Sequence, residues 1–137
     1  MSHNRFNYFK KVYRLAKRSI SVDYSSRKSF VVNGSEDFIQ NVLKSNIPVI
    51  VNFHAEWCEP CSTLTPMLNK FIGDSTSVNL AIVDVEKNAD LVHTFEVKAV
   101  PAVLAIRNGH VIEKFIGLID ENMIKEMINK MSKTEEE

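Results

Sequence analysis

Cys58 and Cys61 are the only thiols in 137 residues, and they stand three positions apart. A thiolate attacks a disulfide, and a second thiol within reach attacks the mixed disulfide that results. The pair lies between an apolar run, Pro48 to Phe53, and a stretch of helical character, Ser62 to Ile72. This arrangement sets a dithiol at the mouth of a helix. The unpaired N–H groups and the positive end of the helix dipole there both favour a thiolate. The spacing predicts Cys58 exposed at the helix start and Cys61 one turn further in, within its reach. Two cysteines are too few for a disulfide framework, so the pair reads as reactive. The competing reading is half of a zinc site. Zinc takes four ligands, and the remaining candidates, His54, His93 and His110, fall on scattered elements.

The elements that must position this pair follow from the apolar pattern. A short strand is predicted over 28–32, then a turn at Asn33-Gly34. Ser35 is expected to cap a helix whose stripe is Phe38, Ile39, Val42 and Leu43, ended by Asn46 and Pro48. Residues 49–54 form a strand apolar enough to be covered on both faces. The dithiol helix runs from about 58 to 72, interrupted by Pro66, which lacks a backbone donor and should kink it, with Gly73 as terminator. A strand over 78–83, a loop at 84–88 and a short helix over 89–95 come next. Strands 102–106 and 111–116 are joined by Asn108-Gly109, a strong hairpin signal. Gly117 ends the second of them. Asp120 caps a last helix whose buried stripe is Met123, Ile124, Met127, Ile128 and Met131. Alternating βα units imply a parallel core, to which the hairpin adds antiparallel strands.

Composition bounds the rest. A hydrophobic content of 45% supports one domain with a real core. No apolar run is long enough for a membrane span. The zero net charge hides an asymmetry: residues 1–30 carry eight Lys or Arg against Asp23 alone. Of the 17 charges of each sign, nine basic and sixteen acidic remain for residues 31–137. The first segment is also Ser-rich, with Phe6, Phe9, Val12, Tyr13 and Ala16 at helical spacing. That is the composition of a mitochondrial transit peptide, the alternative being a basic arm. The acidic domain repels phosphate, which argues against nucleic acid. The expected organisation is a leader over 1–27, a domain over 28–132 and a charged tail over 133–137.

The order of elements, with Phe53-x-Ala55-x-Trp57-Cys58-x-Pro60-Cys61 after the second strand, resembles the thioredoxin family. Pro66, Val100-Pro101, Asn108-Gly109 and Gly117 match the family in order and spacing. Phe53-His54-Ala55, together with the leader, is most similar to its mitochondrial branch. The resemblance implies an α/β thioredoxin fold: a central mixed sheet, parallel core plus C-terminal antiparallel hairpin, flanked by helices. It implies a protein-disulfide reductase that cycles a Cys58–Cys61 disulfide, with Cys58 as nucleophile and Cys61 as resolving thiol. Trp57, Pro60, Val100, Pro101 and Gly117 would form the substrate groove, with the Val100–Pro101 bond cis. His54, pointing away from Phe53's side of its strand, reads as a packing residue. No bound metal or prosthetic group is implied. The implied partners are an NADPH-dependent thioredoxin reductase and disulfide-containing clients such as peroxiredoxins, in the mitochondrial matrix.

Three residues depart from the family pattern. Asn52 stands where the family has a buried Asp that takes the proton of the second cysteine. Ile82 stands where many members have a Lys beside it. Losing both charges together is consistent, because a lone buried charge is costly. Asn52 cannot accept a proton, and general-base help is typically worth about 10²–10⁴ in rate. Glu59 replaces the usual Gly. A carboxylate about 6 Å from the Cys58 sulfur repels its thiolate by about 0.7 kcal/mol in water, more at lower dielectric. The expectation is a slower, more reducing dithiol. The alternative function is a thioredoxin-fold binding or scaffold protein with weak turnover. An oxidase or isomerase of an oxidising compartment is disfavoured by the non-secretory leader and by Glu59.

Overall fold

The computed structural model of the chain describes residues 28–133. The leader, its reading as a transit peptide and the end of the tail lie outside the described residues. Five strands form one sheet: β1 (Ser29–Val31), β2 (Val49–His54), β3 (Asn79–Asp84), β4 (Ala102–Arg107) and β5 (His110–Ile116), in spatial order β1-β3-β2-β4-β5. β1, β3 and β2 run parallel, while β4 is antiparallel to β2 and β5 to β4. Val49 to Phe53 are buried throughout, as a central strand covered on both faces requires.

Among the described residues, four helices cover the sheet: α1 (Gly34–Phe38, continued by a π-helical turn over Ile39–Leu43), α2 (Glu59–Gly73), α3 (Ala89–Thr94) and α4 (Glu121–Ser132). On one face Phe38 and Val42 of α1 and Leu91 of α3 pack on Val49, Val51, Phe53, Val83 and Leu104. On the other, Leu64, Leu68 and Ile72 of α2 and Ile124, Met127 and Met131 of α4 pack on Ile50, Leu80, Val103 and Ala105. The period of two along β2 divides these sets, sending Ile50 and Asn52 to the α2 face. The hairpin turn has Asn108 and Gly109 both at positive φ, the conformation that the Asn-Gly pair predicts.

Two local expectations need correction. Ser35 is not the cap of α1, because Asn33 holds that position and makes no side-chain cap bond. The free N–H groups are met instead by Asp37 Oδ2, which accepts from Asn33, and by Asn88 Oδ1, which accepts from Gly34 at 3.0 Å. Ile39 leaves the buried stripe and is 36% exposed. Lys44 donates to the Ile39 carbonyl five residues back, and this wider turn rotates Ile39 off the face of Phe38 and Val42. Gly73 is the last residue of α2, where the terminator was expected, and Asp74 follows it in right-handed helical geometry. Lys28 Nζ donates to the Gly73 and Ser75 carbonyls, so a cation meets the negative end of the helix.

Asp120 does cap α4, its Oδ1 accepting from the Met123 N–H at 2.9 Å. Asp120→Ala is expected to cost about 1 kcal/mol, read as a lower urea midpoint with an unchanged slope.

Candidate active site

β2 delivers the chain to Ala55, whose carbonyl accepts the Cys58 N–H at 3.2 Å and tightens the approach to α2. Cys58 is the N-cap of that helix, in extended conformation, with Glu59 and Pro60 in the first turn. Proline is tolerated there because its missing N–H would be unpaired in any case. Cys58 and Cys61 are joined as a disulfide with Cα atoms 5.3 Å apart. Cys58 Sγ also accepts the Cys61 N–H at 3.3 Å, so the sulfur takes the place of a capping oxygen. That bond is the local form of the thiolate stabilisation expected of a helix N-terminus.

Cys58 is not exposed as the spacing predicted. It is 6% exposed and Cys61 3%, both packed with Ala55, Val85 and Val100. Loops from beyond β3 and before β4 close over the disulfide, and the local pattern around the pair carries no sign of them. Trp57 does stand in solvent, at 68% exposure, with its Nε1–H donating to Glu86 Oε1 at 2.6 Å. Pro60 and Glu59 are exposed beside it. The Val100–Pro101 bond is cis, and the Pro101 carbonyl accepts the Gly117 N–H at 2.8 Å. Gly117 has φ +95 with nothing within 4 Å of a built Cβ, so its backbone conformation rather than lack of space requires glycine. These contacts bring Val100, Pro101 and Gly117 to the dithiol end of the sheet. The exposed Ile116 and Leu118 flank Gly117.

Asn52 lies in the same face of β2 as Ile50 and pairs in register with Ile82 of β3. The two departures are therefore neighbours, and the neutral pair is one local change. Asn52 Nδ2 donates to Thr65 Oγ1 at 2.9 Å. Thr65, Glu86, Ile116 and Leu118 were not singled out from sequence. For Thr65 a signal was present: it stands four residues after Cys61, one turn along the same helix face. Glu86 has no such signal, being 29 residues from Trp57. His54 is half-buried, while His93 and His110 are exposed on other elements. Among the described residues no group of three His, Cys, Asp or Glu is placed to hold a metal ion.

Glu59 sits where the helix dipole welcomes an acid, yet its charge opposes the neighbouring thiolate. Glu59→Gln removes the carboxylate charge beside Cys58 and is expected to lower the pH at which the Cys58 thiol of the reduced protein begins to react. The pH dependence of iodoacetamide alkylation measures it; an unchanged or higher midpoint contradicts the repulsion.

A mixed sheet between two helical layers, with a disulfide capping the helix that follows its central strand, defines an α/β dithiol protein. Comparison narrows that class: the Thioredoxin family model matches residues 29–130, and the chain belongs to the thioredoxin family. A mitochondrial thioredoxin of Mus musculus is 42% identical over 104 residues, 75% of this chain and 63% of that protein. The mitochondrial thioredoxin of Bos taurus is 39% identical over 115 residues, 83% of this chain and 69% of its own. The chain thus spans a little under two thirds of the mouse relative's length. Among solved structures, a mutant thioredoxin from Halobacterium salinarum superposes with TM-score 0.73 at 27% identity, covering 80% of this chain and 95% of that one. The Malassezia sympodialis thioredoxin gives TM-score 0.67 at 26% identity, over 75% and 90%.

Proposed function

We propose that this chain is a protein-disulfide reductase that cycles its own dithiol. The observation that carries the reading is the Cys58–Cys61 disulfide at the N-cap of α2, with Cys58 Sγ accepting a helix N–H. In the reduced protein the same N–H stabilises a Cys58 thiolate. That thiolate attacks a client disulfide, a mixed disulfide forms, and Cys61 displaces the reduced client. Trp57, Pro60, Val100, Pro101 and Gly117 form the groove for the client segment. Val100 and Gly117 offer the backbone and Trp57 the exposed apolar face. Asn52 and Glu59 tune the two thiols.

The clients are disulfide-containing proteins, peroxiredoxins among them, and an NADPH-dependent thioredoxin reductase restores the dithiol. The basic, Ser-rich residues 1–27 and the mitochondrial thioredoxins among the relatives support delivery to the mitochondrial matrix. Residues 28–132 are then the working domain.

The test is reduction of insulin disulfides by the full chain with NADPH and thioredoxin reductase. Catalytic precipitation of the insulin B chain at micromolar protein is the expected result. No acceleration over the reductase alone would sink the reading.

A further inference from the structure

The segment that lies over the dithiol is tied at both of its ends to β5 and the glycine that follows it. The segment runs from Phe95 to Pro101, and its Val100 packs on Cys58 and Cys61. At its far end the Pro101 carbonyl accepts the Gly117 N–H. At its start Lys114 Nζ donates to the Phe95 carbonyl at 2.9 Å and to the Glu96 carbonyl at 3.2 Å. Lys114 pairs in register with Leu104, on the sheet face that α1 and α3 cover. The turn it reaches closes α3. There the Val97 N–H donates to the Val92 carbonyl at 2.9 Å, and the Glu96 N–H to the His93 carbonyl at 3.2 Å. Closure of this kind puts one residue in the left-handed region, where glycine is the usual occupant. Here that residue is Glu96, at φ 52. A side chain disfavours this conformation, so the turn needs a hold from outside its own bonds. The Lys114 ammonium supplies one, at the negative end of the helix dipole.

We propose that Lys114 is a positioning residue for the disulfide exchange: its ammonium fixes the turn at Phe95 and Glu96, and so holds Val100 on the dithiol and in place for a client. This inference rests on the reductase reading above. Lys114 transfers no proton and no electron, and it acts only through Val100. A fixed Val100 has two opposite consequences. It helps to cover the sulfurs, leaving Cys58 6% and Cys61 3% exposed, so a small reagent in solvent has little access to them. It also offers an ordered backbone to an extended client segment, which then does not have to order that backbone on binding. Releasing the turn therefore helps a small thiol and hinders a protein client. A general loosening of the domain moves both in the same direction.

The test uses the full chain, whose only thiols are Cys58 and Cys61, so a maleimide polymer that shifts the band on a gel counts them directly. In one arm the oxidised protein is reduced by dithiothreitol and the gain of thiols is timed. In the other the reduced, desalted protein is mixed with insulin and the loss of thiols is timed. Lys114→Met keeps the length of the side chain and removes the ammonium. It is expected to react about threefold faster with dithiothreitol, through local opening. With insulin it should react about fivefold slower, the scale of one hydrogen bond. Lys114→Arg retains a cationic donor and should stay within about twofold of the unmodified protein in both arms. Glycine holds the turn without help, so Lys114→Met placed in a Glu96→Gly background should lose most of its effect. Rates of Lys114→Met that match the unmodified protein in both arms, or that move in the same direction in both, would overturn the assignment. A double variant that shifts as far as Lys114→Met alone would overturn it too, by placing the effect outside this turn. No loss of thiols from the unmodified protein with insulin would overturn the reductase reading instead.

Discussion

Cys61→Ser is expected to turn the protein from a catalyst into a trap. Cys58 keeps its place at the N-cap of α2, so its attack on a client disulfide survives. The bond that releases the client cannot form, because no other thiol then exists in the chain. Without added thiols, steady-state insulin reduction should fall by roughly a thousandfold or more. One molecule of client should remain attached per molecule of protein, visible by non-reducing electrophoresis and released by dithiothreitol. Cys58→Ser should capture nothing, because Cys61 is the more deeply covered thiol. Equal capture by the two variants would reverse the assigned roles. The burial of Cys58 in the oxidised form sharpens the expectation: a client must reach its sulfur past Val85 and Val100, so capture should favour extended, accessible disulfides.

The second large effect is expected from Asn52→Asp. Position 52 is fully buried, faces Ile82 in register and has Thr65 as its hydrogen-bond partner. Burial disfavours the charged form, so the introduced carboxyl should titrate above the value of about 3.9 it has in the unfolded chain. Below about pH 4 the group is neutral in both states, and the variant should match the unmodified protein. Above that, the unfolded chain ionises first, and stability is lost progressively until pH passes the raised folded pKa. A shift of about three units corresponds to a loss of about 4 kcal/mol by pH 8. Urea unfolding at pH 4 and pH 8 measures it. Equal stability of variant and unmodified protein at both values would mean that the site solvates a charge after all.

The same substitution separates two functions. A carboxylate at position 52 is the group that the family pattern assigns to taking the Cys61 proton, a role typically worth about 10²–10⁴ in rate. If the unmodified protein already turns over insulin, a neutral residue at position 52 suffices for a reductase. If it does not, and Asn52→Asp does, the chain works as a binding protein that kept its dithiol.

The sequence by itself determined the chemistry and the order of parts. The dithiol, the apolar strand before it, the helix that it caps, the Asn108-Gly109 hairpin and the Asp120 cap are contiguous signals. Each is set by neighbours a few residues away, so their spacing is enough to read them. The family pattern added the cis bond at Val100–Pro101, and it flagged Asn52 and Ile82 as a paired departure. What the tertiary structure decided depends on chain segments far apart. Cys58 is covered because Val85, just after β3, and Val100, just before β4, close on it. Trp57 is held by Glu86 across 29 residues. Ile39 leaves its stripe because a π turn replaces the α-helical period, and Asn88 rather than Ser35 serves the start of α1. The partner of Asn52 belongs to the same class. Only the packing of α2 on β2 brings its Nδ2 to Thr65 Oγ1. A local pattern fixes which face a side chain takes, while the strand register and the seating of the helices fix what it meets there.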